Sequence, residues 1–128
     1  MRLQRNHSVA LNSDIDSELN MQIEFKPVAI GAAVPDFEME TYDPALGDFS
    51  KFSLAANRAA GKWTVLVFYP ADFTFVCPTE LADLAEQHAA LTKLGATVVA
   101  VSTDTKFAHM AWRNSEGLLK DVKYPMAA

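Results

Sequence analysis

Two continuous apolar runs, rich in β-branched and aromatic residues, organise the second half of the chain: Trp63–Tyr69 (WTVLVFY) and Thr97–Ser102 (TVVAVS). Neither alternates with polar residues, so each predicts a strand buried on both faces, as in a parallel sheet. Pro70 ends the first run, and Ala71–Val76 reads as a loop. Leu81, Leu84, Ala85, His88, Leu91 and Leu94 then recur at the three-and-four spacing of one helix face. Pro78 suits the first turn of that helix, Asp and Glu gather near its start, and Gly95 stands at its C-cap. Strand, helix and strand predict a βαβ unit with a right-handed crossover. Upstream, Phe37–Thr41 and Asp48–Ser53 predict a hairpin, because Tyr42–Gly47 between them carries Asp, Pro and Gly. Downstream, Lys106–Asn114 predicts a helix with Phe107, Met110 and Ala111 on one face, and Tyr124-Pro125-Met126 begins another extended segment.

Composition narrows the class. Half of the 128 residues are apolar and 21% are charged, which predicts one compact soluble domain. The net charge is −5 and the eleven basic residues are scattered, so the electrostatic footprint of nucleic-acid binding is missing. The apolar run Val65–Phe68 is far too short to span a bilayer. Arg2 and Arg5 are followed by Asp14, Asp16 and Glu18 and by no apolar core, which argues against a targeting peptide. Residues 1–24 read as a polar, poorly ordered extension, with Met21 a second candidate start. The three histidines, His7, His88 and His109, have no metal-ligand spacing and receive no role; His88 is expected to pack on its helix. No metal, flavin or nucleotide site is expected.

The single cysteine, Cys77, excludes an internal disulfide framework and fits a reducing compartment such as the cytoplasm. A lone thiol is either a small buried hydrophobe or a reactive group. Cys77 falls just past the C-terminal end of a predicted strand and at the first turn of the next helix. In open α/β sheets that crevice is where ligands bind. Unsatisfied N–H groups and the helix dipole there favour an anion, and a thiolate is one.

The string around it, FYPADFTFVCPTEL, contains Pro-x-x-x-Thr-x-x-Cys, and VSTDTKFAHMAW and KYPM follow. From about residue 30 to 126 the sequence resembles the peroxiredoxins of the typical two-cysteine, alkyl hydroperoxide reductase type. The resemblance implies an α/β, thioredoxin-like fold, incomplete at the C-terminus. It implies a thiol-dependent peroxidase that reduces hydrogen peroxide and organic hydroperoxides through a sulfenic acid at Cys77. It also implies that Thr74 hydrogen-bonds thiolate and peroxide, that Pro70 shields the sulfur from water, and that Glu80 orients an arginine. Without the resemblance, Thr74 could cap the helix, Pro70 could stop the strand and Glu80 could complement the dipole. Phe73, Phe75, Phe107 and Trp112 read as core aromatics; by the resemblance, some also serve contacts between dimers.

The family's two-cysteine members carry a resolving cysteine and an active-site arginine on a later strand. This sequence has only Cys77, and Arg113 lies in the wrong element to be that arginine. The expectation is therefore a fragment of a longer chain with weak or absent turnover by itself. A strand at Trp63–Tyr69 lacking its outer partner would stand at a sheet edge. The implied partners are a peroxide, thioredoxin or a flavoprotein disulfide reductase as reductant, and further copies of the chain in a homo-oligomer. The alternative is a non-enzymatic, chaperone-like module of the same fold. A disulfide oxidoreductase is disfavoured, because Glu80 and not cysteine stands three residues after Cys77.

Overall fold

The computed structural model describes residues 27–128, and the expected extension over residues 1–24 lies outside them. Pro35–Ala128 forms one compact unit. Its elements are β1 (Glu38–Asp43), β2 (Asp48–Ser53), α1 (Leu54–Ala59), β3 (Trp63–Phe68), α2 (Cys77–Lys93), β4 (Ala96–Val101), α3 (Lys106–Ser115), a 3₁₀ turn (Gly117–Leu119) and β5 (Met126–Ala127). They build a five-stranded mixed sheet in the order β2-β1-β5-β4-β3.

The hairpin forms where the turn chemistry puts it, with Asp43 opposite Asp48. Its loop closes through the Gly47 N–H, which donates to the Asp43 carbonyl at 2.8 Å. Gly47 has φ +68°, a conformation open to glycine at little cost. β3 and β4 pair in parallel across α2, as the βαβ pattern requires. α2 begins at Cys77, and Pro78 occupies its first turn. Gly95 follows the helix at φ +81°.

β4 and β5 are buried on both faces and separate two apolar layers. Val98, Ala100 and Met126 join Cys77, Leu81, Trp112, Leu119, Val122 and Tyr124 on one side. Val99 and Ala127 join Phe52 on the other, with Leu54 and Leu66 packed against them. This is period-two alternation with apolar residues on both faces, so the sequence shows only an unbroken run.

Several expectations need correction. β3 is not buried on both faces. It stands at the sheet edge, the position anticipated when no strand pairs with its outer side, and Trp63 and Phe68 are 77% and 73% exposed. Leu94 lies on the predicted helix face but beyond the layer that α2 covers, and is exposed. α3 turns His109 and Trp112 inward, not Phe107, Met110 and Ala111. Of the four aromatics read as core, only Trp112 is buried; Phe73, Phe75 and Phe107 are exposed. Phe107 instead lies edge-on to Phe49 of the hairpin, with ring centroids 5.0 Å apart.

Candidate active site around Cys77

β3 delivers the chain to a loop, Tyr69–Val76, that ends in the helix carrying Cys77. The Tyr69 N–H still donates to the Val101 carbonyl at 3.0 Å, so pairing with the β4 side outlasts the strand by one residue. Cys77 is the first residue of α2, at the positive end of 17 helical residues. It is also 6% exposed and part of the apolar layer with Leu81 and Trp112. The sulfur thus sits at the helix mouth and within packed side chains at once.

The other residues singled out from sequence lie on the same stretch in different surroundings. Thr74 is half-buried, and its hydroxyl donates to the Ala71 carbonyl at 3.0 Å. The residue before the helix is Val76, with no side-chain cap, so Thr74 does not serve as the N-cap. Pro70 is exposed, and its carbonyl accepts the Thr103 hydroxyl at 3.3 Å. Glu80 is exposed in the first turn of α2. Arg113 donates to the Lys120 and Val122 carbonyls, at 2.7 and 3.4 Å, and ties α3 to the segment before β5. Arg58 pairs with Asp36.

A buried polar cluster behind the loop was not anticipated. The Tyr69 hydroxyl donates to Asp72 Oδ1 at 2.6 Å, and His109 Nδ1 lies 2.7 Å from Asp72 Oδ2. His109 Nε2 lies 2.9 Å from the Ala127 carbonyl oxygen. The Asp72 N–H donates to Asp104 Oδ2 at 2.7 Å, and the Asp104 N–H to Ser102 Oγ at 3.1 Å. Burial, and next the hydrogen bond to Asp72, push the Tyr69 phenol well above its ordinary value. The one sequence signal for this cluster is that His109 and Trp112 stand three apart on α3, one helical turn on a shared face.

The loop's other side is apolar and open. Phe73 has φ +56°, a left-handed conformation that costs a bulky residue, and is 63% exposed. Phe75 is 98% exposed, with Val76 beside it. Among the described residues, no helix is long and apolar enough to cross a membrane.

The model of the AhpC/TSA family matches residues 30–128. Alkyl hydroperoxide reductase C of Escherichia coli is 58% identical over 80 residues, which cover 62% of this chain and 42% of that protein. Alkyl hydroperoxide reductase C of Staphylococcus saprophyticus is 42% identical over 97 residues, 76% of this chain and 50% of that protein. The crystal structure of Enterococcus faecalis AhpC superposes with a TM-score of 0.67 at 42% identity, over 74% of this chain and 55% of that one. The chain spans about half the length of the relatives it matches.

Proposed function

The chain belongs to the AhpC/TSA family of thiol-dependent peroxidases, and on that footing we propose that Cys77 is a peroxidatic cysteine attacking hydrogen peroxide and organic hydroperoxides. The fold is thioredoxin-like, as the sequence resemblance implied. The observation that carries the proposal is the position of Cys77 as the first residue of α2, directly after the loop that follows a parallel strand. There the helix dipole favours the thiolate over the thiol.

The thiolate attacks one peroxide oxygen. The S–O bond forms as the O–O bond breaks, and the departing alkoxide or hydroxide takes up a proton to leave as alcohol or water. Cys77 is left as a sulfenic acid. The Thr74 hydroxyl has its hydrogen engaged with Ala71, so its lone pairs are free to accept the O–H of the incoming hydroperoxide. Pro70 and Glu80 complete the proposed site, as a shield and as a partner for a guanidinium. A thiol then attacks the sulfenic acid and water leaves, giving a disulfide. Cys77 is the only cysteine among residues 1–128, so that thiol comes from outside them. Thioredoxin or a flavoprotein disulfide reductase then restores the thiol. The cytoplasm suits this chemistry, and the exposed rings of Phe73 and Phe75 support assembly into a homo-oligomer.

The burial of Cys77 in the apolar layer favours a second reading, a non-enzymatic binding module. A sulfenic-acid trap applied after one equivalent of peroxide separates the two. Peroxidase chemistry gives one adduct per chain, absent in Cys77→Ser. A folded chain that gives no adduct is the binding module. Steady-state turnover of residues 1–128 alone, with excess small thiol, should fall on the order of 100-fold below a full-length relative, the effect of one transition-state donor lying outside them. Arg58 and Arg113 are both committed elsewhere.

A further inference from the structure

Asp72 is held by three hydrogen bonds, each to a different residue. Its carboxylate accepts the Tyr69 hydroxyl and faces His109 Nδ1, and its backbone N–H is held by Asp104. The side chains of His109 and Asp72 are 0% and 1% exposed, so water does not substitute for these partners. His109 Nε2 faces a carbonyl oxygen, which can only accept, so Nε2 carries a hydrogen. Nδ1 and Oδ2, 2.7 Å apart, need a proton between them, whether it resides on the ring or on the carboxyl group. Two bare acceptors at that separation would repel. The pair is therefore neutral as a unit and fully bonded, the condition under which a buried polar network rigidifies its surroundings.

We propose that Asp72 and His109 are positioning residues, linked in a buried relay from the β5 carbonyl of Ala127 to the loop that presents Cys77 to peroxide. The proposal rests on the peroxidatic reading of Cys77. The relay starts at a strand in the middle of the sheet and ends five residues before the sulfur, on a loop whose outer side has no packing layer over Phe75. It acts through the loop backbone and touches neither sulfur nor substrate. Asp72→Ala removes the carboxylate, so the Tyr69 hydroxyl and His109 Nδ1 lose their shared partner and the loop loses its tie to α3.

The test compares two reactions of Cys77 in the wild-type chain and in Asp72→Ala and His109→Gln. Oxidation by hydrogen peroxide, followed by trapping the sulfenic acid, needs an oriented approach; alkylation by iodoacetamide reports access to the thiol. Misplaced loops should oxidise ten- to a hundredfold more slowly, the order of magnitude for about 1 Å of displacement. Alkylation should be as fast as in the wild type or faster. A merely structural loosening would speed both reactions. Tyr69→Phe, which removes one oxygen, serves if the other variants do not fold, and should oxidise more slowly in the same sense. Folded variants that oxidise within twofold of the wild type overturn the positioning role and leave the peroxidatic reading intact. A wild-type chain inert to peroxide overturns both. Nitrogen-15 NMR of labelled histidine should show slowly exchanging protons at both ring nitrogens of His109, or at Nε2 with a second shared toward Asp72. Rapid exchange at Nε2 would overturn the relay whatever the kinetics.

Discussion

Tyr124→Phe isolates the bond that ties the start of α2 to the segment leading into β5. The Tyr124 hydroxyl donates to the Leu81 carbonyl at 2.7 Å, four residues after Cys77, and the side chain is fully buried. Phenylalanine keeps the ring, its edge-on contact with His88 and its place in the apolar layer. Only one oxygen is lost, so the cavity term is small. The Leu81 carbonyl lies inside α2 and retains a helical partner, so no acceptor is stranded. What remains is the net value of one neutral hydrogen bond, about 1 kcal/mol. For a domain of this size, with a urea slope of about 1–1.5 kcal/mol per molar, the midpoint should fall by roughly 0.7–1 M. Truncation to alanine should cost about 3–5 kcal/mol, because the ring goes too. Sulfenic-acid formation at Cys77 should survive in the phenylalanine variant, since the helix still starts at the same residue. A loss above about 3 kcal/mol would show that the hydroxyl supports more than one partner. An unchanged midpoint would show that water replaces it without penalty, contrary to its complete burial.

Other consequences can be checked on the same chain. Burial pushes the phenols of Tyr69 and Tyr124 well above their ordinary value, Tyr69 further through Asp72. A raised folded-state value means that their stabilisation is complete below the unfolded value near 10 and is lost as pH rises beyond it, by about 1.4 kcal/mol per pH unit for each group. Urea midpoints between pH 9 and 11 should show that decline, and Tyr124→Phe should halve it. Gly95→Ala should cost about 1–2 kcal/mol from backbone strain alone, since Gly95 has φ +81° and an added Cβ would meet nothing within 4 Å; a thermal melt measures it. Phe68→Lys at the β3 edge should change stability by less than about 0.5 kcal/mol while lowering light scattering at high concentration, because an apolar edge strand templates pairing between chains.

The elements were legible because their signals are local. The apolar runs, Pro78, Gly95 and the Asp-Pro-Gly turn each fix a boundary within a residue or two of where it falls. What failed depended on neighbours. A run such as WTVLVFY reads alike at the centre or the edge of a sheet, and only the pairing shows that β3 has one partner while two-residue β5 sits between two. On α3 the apolar stripe Phe107, Met110, Ala111 gave way to His109 and Trp112, because the face turned inward meets a buried carboxylate as well as rings. A histidine that bonds a loop 37 residues earlier leaves no periodic trace. The motif around Cys77 marked the stretch that matters but not the differing burial of Pro70, Thr74 and Glu80.

The position of Cys77 is set by tertiary bonds more than by the helix it begins. No side chain caps α2, and Pro78 lacks the N–H that a cap would hold. The Thr79 N–H and hydroxyl both turn back to the Val76 carbonyl, so the first turn closes on itself. The fixed points lie across the crevice, on the β4–α3 connection and on α3. Thr103 holds the Pro70 carbonyl, Asp104 holds the Asp72 N–H, and His109 holds the Asp72 carboxylate. Three such bonds contribute on the order of 1 kcal/mol each, more where a charge takes part. The left-handed conformation of Phe73 costs about 1–2 kcal/mol, so the pins exceed it and the strained turn persists. That turn sends Phe73 toward Trp112, with ring centroids 6.1 Å apart, while Phe75 is left in solvent. A loop held this firmly on its polar side and left bare on its apolar side keeps one sulfur in register with a sheet that the loop itself does not belong to.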